Sequence, residues 1–291
     1  MMQVNSELVD NELKERLLQA INLKLGIGVD ALETYFLMCE RPDSFAIFIE
    51  ELIETNFWQR KISSGEIWSG ICIELAREID RFCQDASEPN YHSRRHFKEV
   101  CLALTLLLMS QSSSAGEDEA DFKWRLTDED CWVLLLAAIG HDFGHEGRPN
   151  RHLGEQEEKA CHLLADFLKT RVEISPEQLE RLQILIRATE PSLFNELMGR
   201  VKHLDSVQDI ETMKVLLVEA DLFASMLPTY GVRLGKLLAE EFATHDPALA
   251  QLIASSEGRK SFLQSHPYVS PNSQRLQFNE VIRSAIIQVQ P

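Results

Sequence analysis

The chain has 291 residues, of which 44% are hydrophobic and 26% charged, values that are ordinary for a globular protein with a sizeable core. Its 29 Lys and Arg residues stand against 46 Asp and Glu residues, a formal net charge of −17, which argues against bulk attraction to nucleic acid or to an anionic membrane. A nucleotide substrate stays compatible with this charge, because a bound cation can reverse the field inside a cleft.

Helical periodicity dominates the chain from its start. Apolar residues at spacings of three to five predict an amphipathic helix over 8–25. Further helices are predicted over 30–39, 43–54, 67–86, 94–110, 128–139, 154–169, 176–188, 207–227, 231–242 and 273–289. Thr127 before an apolar run and the pair Ser175-Pro176 are helix start signals. Because strand-like alternation and hairpin dipeptides are nearly absent, the sequence predicts an all-α fold, a compact multi-helix bundle.

The polar stretch over 110–121, SQSSSAGEDEAD, is predicted to be an exposed loop. We expect residues 1–60 to form an N-terminal helical layer packed on a main domain over 61–291. The start of the chain lacks an apolar signal core, and the longest apolar runs fall short of the roughly 20 residues that span a bilayer, so we expect a cytoplasmic protein without a membrane partner. The six cysteines form no C-x-x-C pair and are expected to be reduced core thiols.

Four of the nine histidines form two i, i+4 pairs. His92 and His96 are one pair, and His141 and His145 are the other. On a helix such a pair lies on one face, so it can direct two nitrogens at the same small volume. Asp142 follows His141 directly after a strongly apolar run, where an unpartnered carboxylate and imidazole would be costly. A metal ion is the simplest partner for both groups.

A further carboxylate, Asp221, lies in the helical stretch MKVLLVEADLFASMLP, which is apolar on most sides. By itself this residue is equally well explained as a solvent-facing or capping side chain. Glu219 is a similar case, for which we expect an outward position.

The order of a histidine, a His-Asp pair and a distant aspartate resembles the HD superfamily of metal-dependent phosphohydrolases, and more narrowly the catalytic domain of class I cyclic nucleotide phosphodiesterases. The family signature H-D-hydrophobic-x-H-x-[AG]-x-x-[NQ] is matched at every fixed position by HDFGHEGRPN over 141–150. The upstream motif Y-H-N-x-x-H is present as YHSRRH over 91–96, with Ser93 in place of asparagine. The downstream motif H-x-A-D-hydrophobic-S is matched in part by VEADLF around Asp221.

The resemblance implies a catalytic domain over 61–291 with two divalent metal ions, Zn²⁺ in the first site and Mg²⁺ or Mn²⁺ in the second. The implied ligands of the first ion are His96, His141, Asp142 and Asp221, and Asp142 would bridge to the second. The implied reaction is hydrolysis of a 3′,5′-cyclic nucleotide to the 5′-monophosphate by a metal-bridged hydroxide. His92 would be the general acid, and His145 would hydrogen-bond metal-bound water.

The family also holds the purine with a glutamine and stacks it on a phenylalanine. Here the nearest pair is Gln274 and Phe278, which are i and i+4 and could share a helix face, with Gln277 as a rival for the glutamine. An ordinary amphipathic C-terminal helix explains the same residues. The expected substrate contacts are Tyr91, Asn150, Gln274 and Phe278.

Two further features bear on the second metal ion and on specificity. Glu158 is the candidate for a glutamate that supports the second ion, although a solvated helix face explains the surrounding run EQEEK equally well. The family segment A-T-D-M is altered to ATEP over 188–191, a departure that bears on nucleotide specificity more than on hydrolysis.

Two other readings of the sequence remain open. The chain could be another HD-type phosphohydrolase that acts on linear nucleotides, or a non-catalytic HD-like binding module. The branch that cleaves cyclic dinucleotides is disfavoured because no G-Y-P follows the His-Asp pair. For both enzyme interpretations, the expected partner is a small-molecule nucleotide substrate. The sequence does not predict an oligomeric state.

Overall fold

The computed structural model of the chain describes residues 29–41, 44–85, 88–110, 124, 126–202 and 209–289. Within these ranges the regular structure is entirely helical, which confirms the predicted all-α fold. The predicted helix over 8–25 and the predicted loop beyond Ser110 lie outside the described residues.

The described part of the chain contains fifteen α-helices and two short 3₁₀ helices. The α-helices are α1 Val29–Leu37, α2 Phe45–Ile53, α3 Asn56–Gln59, α4 Ile62–Asp85, α5 Arg94–Met109, α6 Asp128–Gly140, α7 Glu155–Lys169, α8 Pro176–Arg187, α9 Phe194–Lys202, α10 Asp209–Met226, α11 Tyr230–Phe242, α12 Pro247–Ala254, α13 Ser256–Ser265, α14 Pro271–Arg275 and α15 Phe278–Val289. The 3₁₀ helices are Met38–Glu40 and Pro191–Leu193.

The predicted helix start signals form capping boxes. The Thr127 hydroxyl accepts a hydrogen bond from the backbone N–H of Asp130, whose carboxylate accepts one from the backbone N–H of Thr127. Ser175 and Gln178 make the same reciprocal pair at the start of α8, with Pro176 in the first turn. These bonds satisfy N–H groups that the first turn of a helix leaves without partners.

The core is built around α5, α6 and α10. From Asp130 to Gly140, α6 is buried on every side, with α4 along one flank and α5 and α10 nearby. This burial explains why the sequence of α6 is apolar without a polar face. All six cysteines are free and five of them are buried, as expected of core thiols.

Residues of the N-terminal helices belong to the same hydrophobic core. Phe36, Phe45 and Trp58 are fully buried in it, and the indole N–H of Trp58 donates to the Thr105 hydroxyl of α5 at 3.2 Å. The division of the chain at residue 60 stays a prediction.

The structure differs from the predicted helix pattern in two respects. Four helices were not predicted, namely α3, α9, α12 and α13; each has ten residues or fewer, which is too short for a clear 3.6-residue period. The single helix predicted over 273–289 is two helices, because Gln277 has a φ of 54° in the left-handed region and ends α14.

In the described part of the chain, no single helix is long and apolar enough to cross a membrane. One pair of consecutive helices has the length and composition of a membrane span when taken together, but the pair is bent by 97°; its helices are Ile210–Met226 and Tyr230–Phe242.

Asp80 of α4 caps the start of α2 from a neighbouring helix. Its carboxylate accepts hydrogen bonds from the backbone N–H groups of Phe45 at 2.9 Å and Ala46 at 3.0 Å, and from the Ser44 hydroxyl at 2.7 Å. Burial alone would raise the pKa of Asp80, but these hydrogen bonds outweigh it and hold the pKa below its ordinary value.

We therefore expect Asp80→Ala to lower the free energy of unfolding at pH 7 by about 2–3 kcal/mol, since it leaves buried N–H groups unpaired. The carboxylate stabilises the fold above its unfolded pKa of about 3.9, and this contribution is lost as the pH falls through the lower folded pKa. Urea unfolding of the unmodified protein and of Asp80→Ala at several pH values measures this contribution. The difference between their free energies of unfolding should become smaller in acid. Asp166→Ala, at an exposed surface pair with Lys169, is the control. Equal stabilities at pH 7 would contradict the capping role.

Candidate metal and catalytic site

Three helices bring two histidines and two aspartates to one point. His96 lies in the first turn of α5, His141 and Asp142 follow the end of α6, and Asp221 lies within α10. The imidazole Nε2 atoms of His96 and His141 are 3.3 Å apart. Asp221 Oδ1 is 3.1 Å from His96 Nε2 and 3.5 Å from His141 Nε2, and Asp142 Oδ2 is 3.4 and 3.2 Å from the same two atoms. The four predicted metal ligands are therefore brought together.

The spacing of these atoms leaves room for one metal ion among them. The five distances above range from 3.1 to 3.5 Å, and the ligand atoms of His96, His141 and Asp221 all lie within 4.8 Å of one another. His141 donates its Nδ1–H to the Ala138 carbonyl at 2.9 Å, which leaves Nε2 free to coordinate. The donor set and its spacing thus fit a divalent cation.

The charges of the cluster are mutually stabilising. Burial opposes the charged form of His141, but Asp142 and Asp221 outweigh it and raise the pKa of this imidazole to about 10. Burial would raise the pKa of Asp221, yet hydrogen bonds with His141 and His96 lower it to about 2. Burial would likewise raise the pKa of Asp142, but His141 and His96 hold it well below its ordinary value. Both carboxylates are thus ionised at neutral pH, and His141 would release its Nε2 proton on binding a metal ion.

Beside this cluster, a second group consists of His92, His145 and Glu241 of α11. The Nδ1 atom of His92 bonds to one oxygen of Glu241, and the other oxygen accepts the backbone N–H groups of Tyr91 at 2.6 Å and His92 at 3.1 Å. The hydrogen bond from His92 outweighs the effect of burial and keeps the pKa of Glu241 below its ordinary value. Glu241 thereby holds both the backbone and the ring of His92.

His145 packs on His92 in a stacked arrangement with ring centroids 3.5 Å apart. Burial, together with the charge of nearby His92, lowers the pKa of His145 to about 3, so this ring is neutral at physiological pH. Its Nδ1 accepts the backbone N–H of Gly147 at 3.1 Å, which leaves the proton on Nε2. Gly144 and Gly147 both have positive φ, which lets the chain turn tightly on either side of this histidine.

Asn150 joins two acidic side chains at the edge of the site. Its amide nitrogen donates to Glu157 at 2.9 Å and to Glu190 at 2.5 Å, while its amide oxygen accepts the backbone N–H of Gln156. Asn150 lines the cavity as expected, but both ends of its amide are occupied by protein groups. Tyr91 also lines the cavity, and its hydroxyl is hydrogen-bonded to Ser225 at 2.8 Å.

The glutamate that reaches the site is Glu157, and the prediction for Glu158 is corrected. Glu158 is exposed on α7, whereas Glu157 is buried and lines the cavity. Burial and the charges of Asp142 and Glu190 raise the pKa of Glu157 to about 7. Successive helical residues differ by about 100° in direction, so an error of one position turns the side chain away from the site.

The prediction for the C-terminal pair, Gln274 and Phe278, is also corrected. Gln274 is exposed and donates to the Val269 carbonyl at 3.2 Å, and Phe278 is fully buried and stacked on Phe223 with centroids 3.7 Å apart. Neither residue lines the cavity. They do not share a helix face, because the left-handed Gln277 separates α14 from α15.

Glu219 is likewise not directed outward. It is fully buried, and its carboxylate accepts the backbone N–H groups of Val269 at 2.7 Å and Ser270 at 2.9 Å as well as the Ser270 hydroxyl. Glu219 therefore anchors the segment that precedes α14 to the helix that carries Asp221.

A cavity of about 720 Å³ contains the cluster. It is lined by His92, His96, Asp142 and Asp221, and also by residues of Pro191–Leu193, α9, α12 and α13. Sequence reasoning missed Glu190, Arg259, Phe262 and His266 as lining residues, and Glu241 as the hydrogen-bond partner of His92. The altered segment over 188–191 was a signal for Glu190, whereas nothing local marks Glu241 or the residues of α13.

Comparisons with known proteins agree with this geometry. Residues 91–169 match the family described as 3′5′-cyclic nucleotide phosphodiesterase. A search of curated protein sequences found no match.

Several solved structures have the same fold. The protein LmjPDEB1 in complex with IBMX is 14% identical, with 96% of each chain covered and a TM-score of 0.66. The phosphodiesterase domain of the RhoPDE fusion protein from the choanoflagellate Salpingoeca rosetta is 16% identical, with 94% of each chain covered and a TM-score of 0.60. Yeast caPDE2 in complex with IBMX is 15% identical over 94% of this chain and 75% of that one, with a TM-score of 0.56. Over residues 91–169 the chain is thus similar to the 3′5′-cyclic nucleotide phosphodiesterase family, and its fold is similar to that of these phosphodiesterase structures.

Proposed function

We propose that this protein hydrolyses a 3′,5′-cyclic nucleotide to the 5′-nucleoside monophosphate in a metal-dependent reaction. The observation that carries the proposal is that carboxylate oxygens of Asp142 and Asp221 lie 3.1–3.5 Å from the Nε2 atoms of His96 and His141, at a cavity of about 720 Å³ that His92 also lines. Cavities of this size take ligands as large as a nucleotide.

In this proposal His96, His141, Asp142 and Asp221 hold a first divalent ion, and a set of two imidazoles and two carboxylates suits Zn²⁺. Asp142 would also hold a second ion, which we expect to be Mg²⁺ or Mn²⁺, since these ions keep several of their water ligands. Glu157 and Glu190 line the same cavity and favour a hydrated cation there. When bound, such ions activate water and neutralise charge on the phosphoryl oxygens.

The side chains of this protein would complete the reaction by moving one proton. Water loses one proton to solvent as it forms a bond to phosphorus, the bond from phosphorus to O3′ breaks, and O3′ takes up one proton and leaves as a hydroxyl group, so that no net proton is lost. His92 would donate that proton from its Nε2, because its Nδ1 is engaged by Glu241. The buried carboxylate of Glu241 keeps the ring in one orientation.

The neutral ring of His145 would support this arrangement without competing for the proton. It stacks on His92 and keeps its own proton on Nε2, where it can donate a hydrogen bond within the cavity. Tyr91 and Asn150 would shape the cavity, since their polar groups are held by Ser225, Glu157 and Glu190.

A panel of nucleotides tests the proposal. Protein supplemented with Mn²⁺ or Mg²⁺ is expected to convert cAMP or cGMP to the 5′-monophosphate, with the product identified by chromatography. Prior dialysis against a chelator should abolish turnover, and metal addition should restore it. Cleavage of linear nucleotides alone would instead support the HD-type phosphohydrolase alternative, and the absence of both turnover and metal binding would support the binding-module alternative.

A further inference from the structure

A fully buried glutamate, Glu99, lies one helical turn after His96 on α5. Within the described part of the chain, its Oε2 atom has no hydrogen-bond partner, and neither has the Nδ1 atom of His96. These two atoms lie 3.7 Å apart. Buried polar atoms without partners are costly, so two of them facing one another indicate a role beyond packing.

The chemistry of a ligand histidine supplies that role. A histidine that binds a metal ion through one ring nitrogen keeps a proton on the other, and this proton needs an acceptor. For His141 the acceptor is the Ala138 carbonyl, 2.9 Å from Nδ1. The Nε2 atom of His96 faces the cluster, 3.1 Å from Asp221 Oδ1, so its proton belongs on Nδ1. Among the described residues, the acceptor on that side is Glu99.

Glu99 is itself held in place through its other oxygen. The Tyr230 hydroxyl donates to Oε1 at 2.6 Å, and the Nε atom of Arg95 lies 3.1 Å from the same oxygen. Tyr230 is buried at the start of α11, where its backbone N–H donates to Glu33 of α1 at 3.1 Å. Contacts from α1 and α11 thus fix the carboxylate, and Oε2 is left to face His96.

We propose that Glu99 is a positioning residue of the metal site: it accepts the Nδ1–H of His96 and thereby fixes the tautomer whose Nε2 binds the ion. The inference rests on the metal site of the proposed function and deepens it. Closing the 3.7 Å gap to a hydrogen bond of about 2.8 Å requires a movement of about 1 Å, which side-chain rotation supplies. A carboxylate is a stronger acceptor than the carbonyl that serves His141, so His96 is the more strongly electron-donating imidazole.

Zn²⁺ affinity, measured by competition with a chromogenic chelator, tests the proposal without depending on turnover. In Glu99→Gln the amide oxygen stays with the Tyr230 hydroxyl, so the amide N–H₂ faces His96 Nδ1 and favours the wrong tautomer. We expect this variant to bind Zn²⁺ about 10- to 100-fold more weakly. Glu241→Gln is the matched control, since it changes a buried glutamate that holds His92 rather than one of the four ligands, and it should leave Zn²⁺ affinity unchanged.

A second measurement needs no variant and so does not depend on how Glu99→Gln folds. In ¹H–¹⁵N NMR spectra of the unmodified, Zn²⁺-loaded protein, the imidazole N–H signal of His96 should come from Nδ1. It should lie further downfield than that of His141, because its acceptor is a carboxylate and not the Ala138 carbonyl.

The proposal is overturned if Glu99→Gln binds Zn²⁺ with unchanged affinity, if Glu241→Gln loses as much affinity, or if the His96 N–H signal lies upfield of that of His141. A parallel assay for hydrolysis of cAMP separates the two levels of inference. Weakened Zn²⁺ binding in Glu99→Gln supports the positioning role even if the unmodified protein hydrolyses no cyclic nucleotide, in which case the proposed function alone fails. An unmodified protein that binds no Zn²⁺ would overturn both.

Discussion

Replacing Asp221 with asparagine is expected to remove the first divalent ion from the purified protein and to lower turnover by at least about 10³-fold, because a metal ion supplies several kcal/mol of transition-state stabilisation. Asparagine has nearly the same shape as aspartate but no charge. It leaves His96 and His141, whose Nε2 atoms lie 3.1 and 3.5 Å from Asp221 Oδ1, with Asp142 as their one remaining shared carboxylate among the described residues. Metal content by elemental analysis and kcat by product formation are the two measurements.

A surface variant separates this effect from a general loss of charge. Asp166→Asn changes an exposed carboxylate on α7 that pairs only with Lys169 at 2.9 Å among the contacts of the described residues, and it should leave both measurements unchanged. Thermal unfolding of both variants shows whether the fold is retained. Full metal content together with normal turnover in Asp221→Asn would exclude Asp221 as a ligand. This outcome would favour the other interpretation of the sequence, in which Asp221 is a solvent-facing or capping side chain.

Loss of the proposed general acid, His92, is the second large expected effect. His92→Ala should lower kcat by about 10²- to 10⁴-fold while the metal content stays constant, since His92 is not among the four clustered ligands. The partner variant Glu241→Gln should lower kcat by a smaller factor, because it keeps the shape of the side chain but loses the charge that holds His92 Nδ1.

The two positions are expected to act as one unit. In the double variant the loss should be close to that of His92→Ala alone, because Glu241 acts through the ring that has been removed. His162→Ala, an exposed histidine on α7, is the control for histidine removal. Losses that multiply in the double variant would show that Glu241 acts independently of His92, and normal kcat in His92→Ala would remove His92 from the mechanism.

The local parts of the site could be read from the sequence because their geometry is local. His92 with His96, and His141 with His145, are each four residues apart, and Asp142 follows His141 directly. A helix or a tight turn alone therefore brings them near one another. The all-α fold was predictable for a related reason, since helical periodicity and capping signals such as Thr127 are expressed within a few turns.

The parts that the sequence left undetermined depend on contacts between distant segments. Glu241 reaches His92 across 149 positions of the chain, and Glu190 reaches Asn150 across 40 positions. No periodicity or spacing encodes such a contact, because it results from how whole helices pack. Glu157 and Glu158 show the same limit on a smaller scale, as only packing decides which of two adjacent helical residues faces inward.

By itself, the sequence determined that this protein is helical and which motif, around His141 and Asp142, is the candidate for the chemistry. Only the tertiary structure decided what surrounds them. A left-handed Gln277 separates Gln274 from Phe278, and the short helices α12 and α13 line the cavity with Phe262 and His266 instead. The physical reason is that catalytic residues are specified by motifs of a few turns, whereas the shape of a cavity is the sum of many long-range packing contacts, each individually weak.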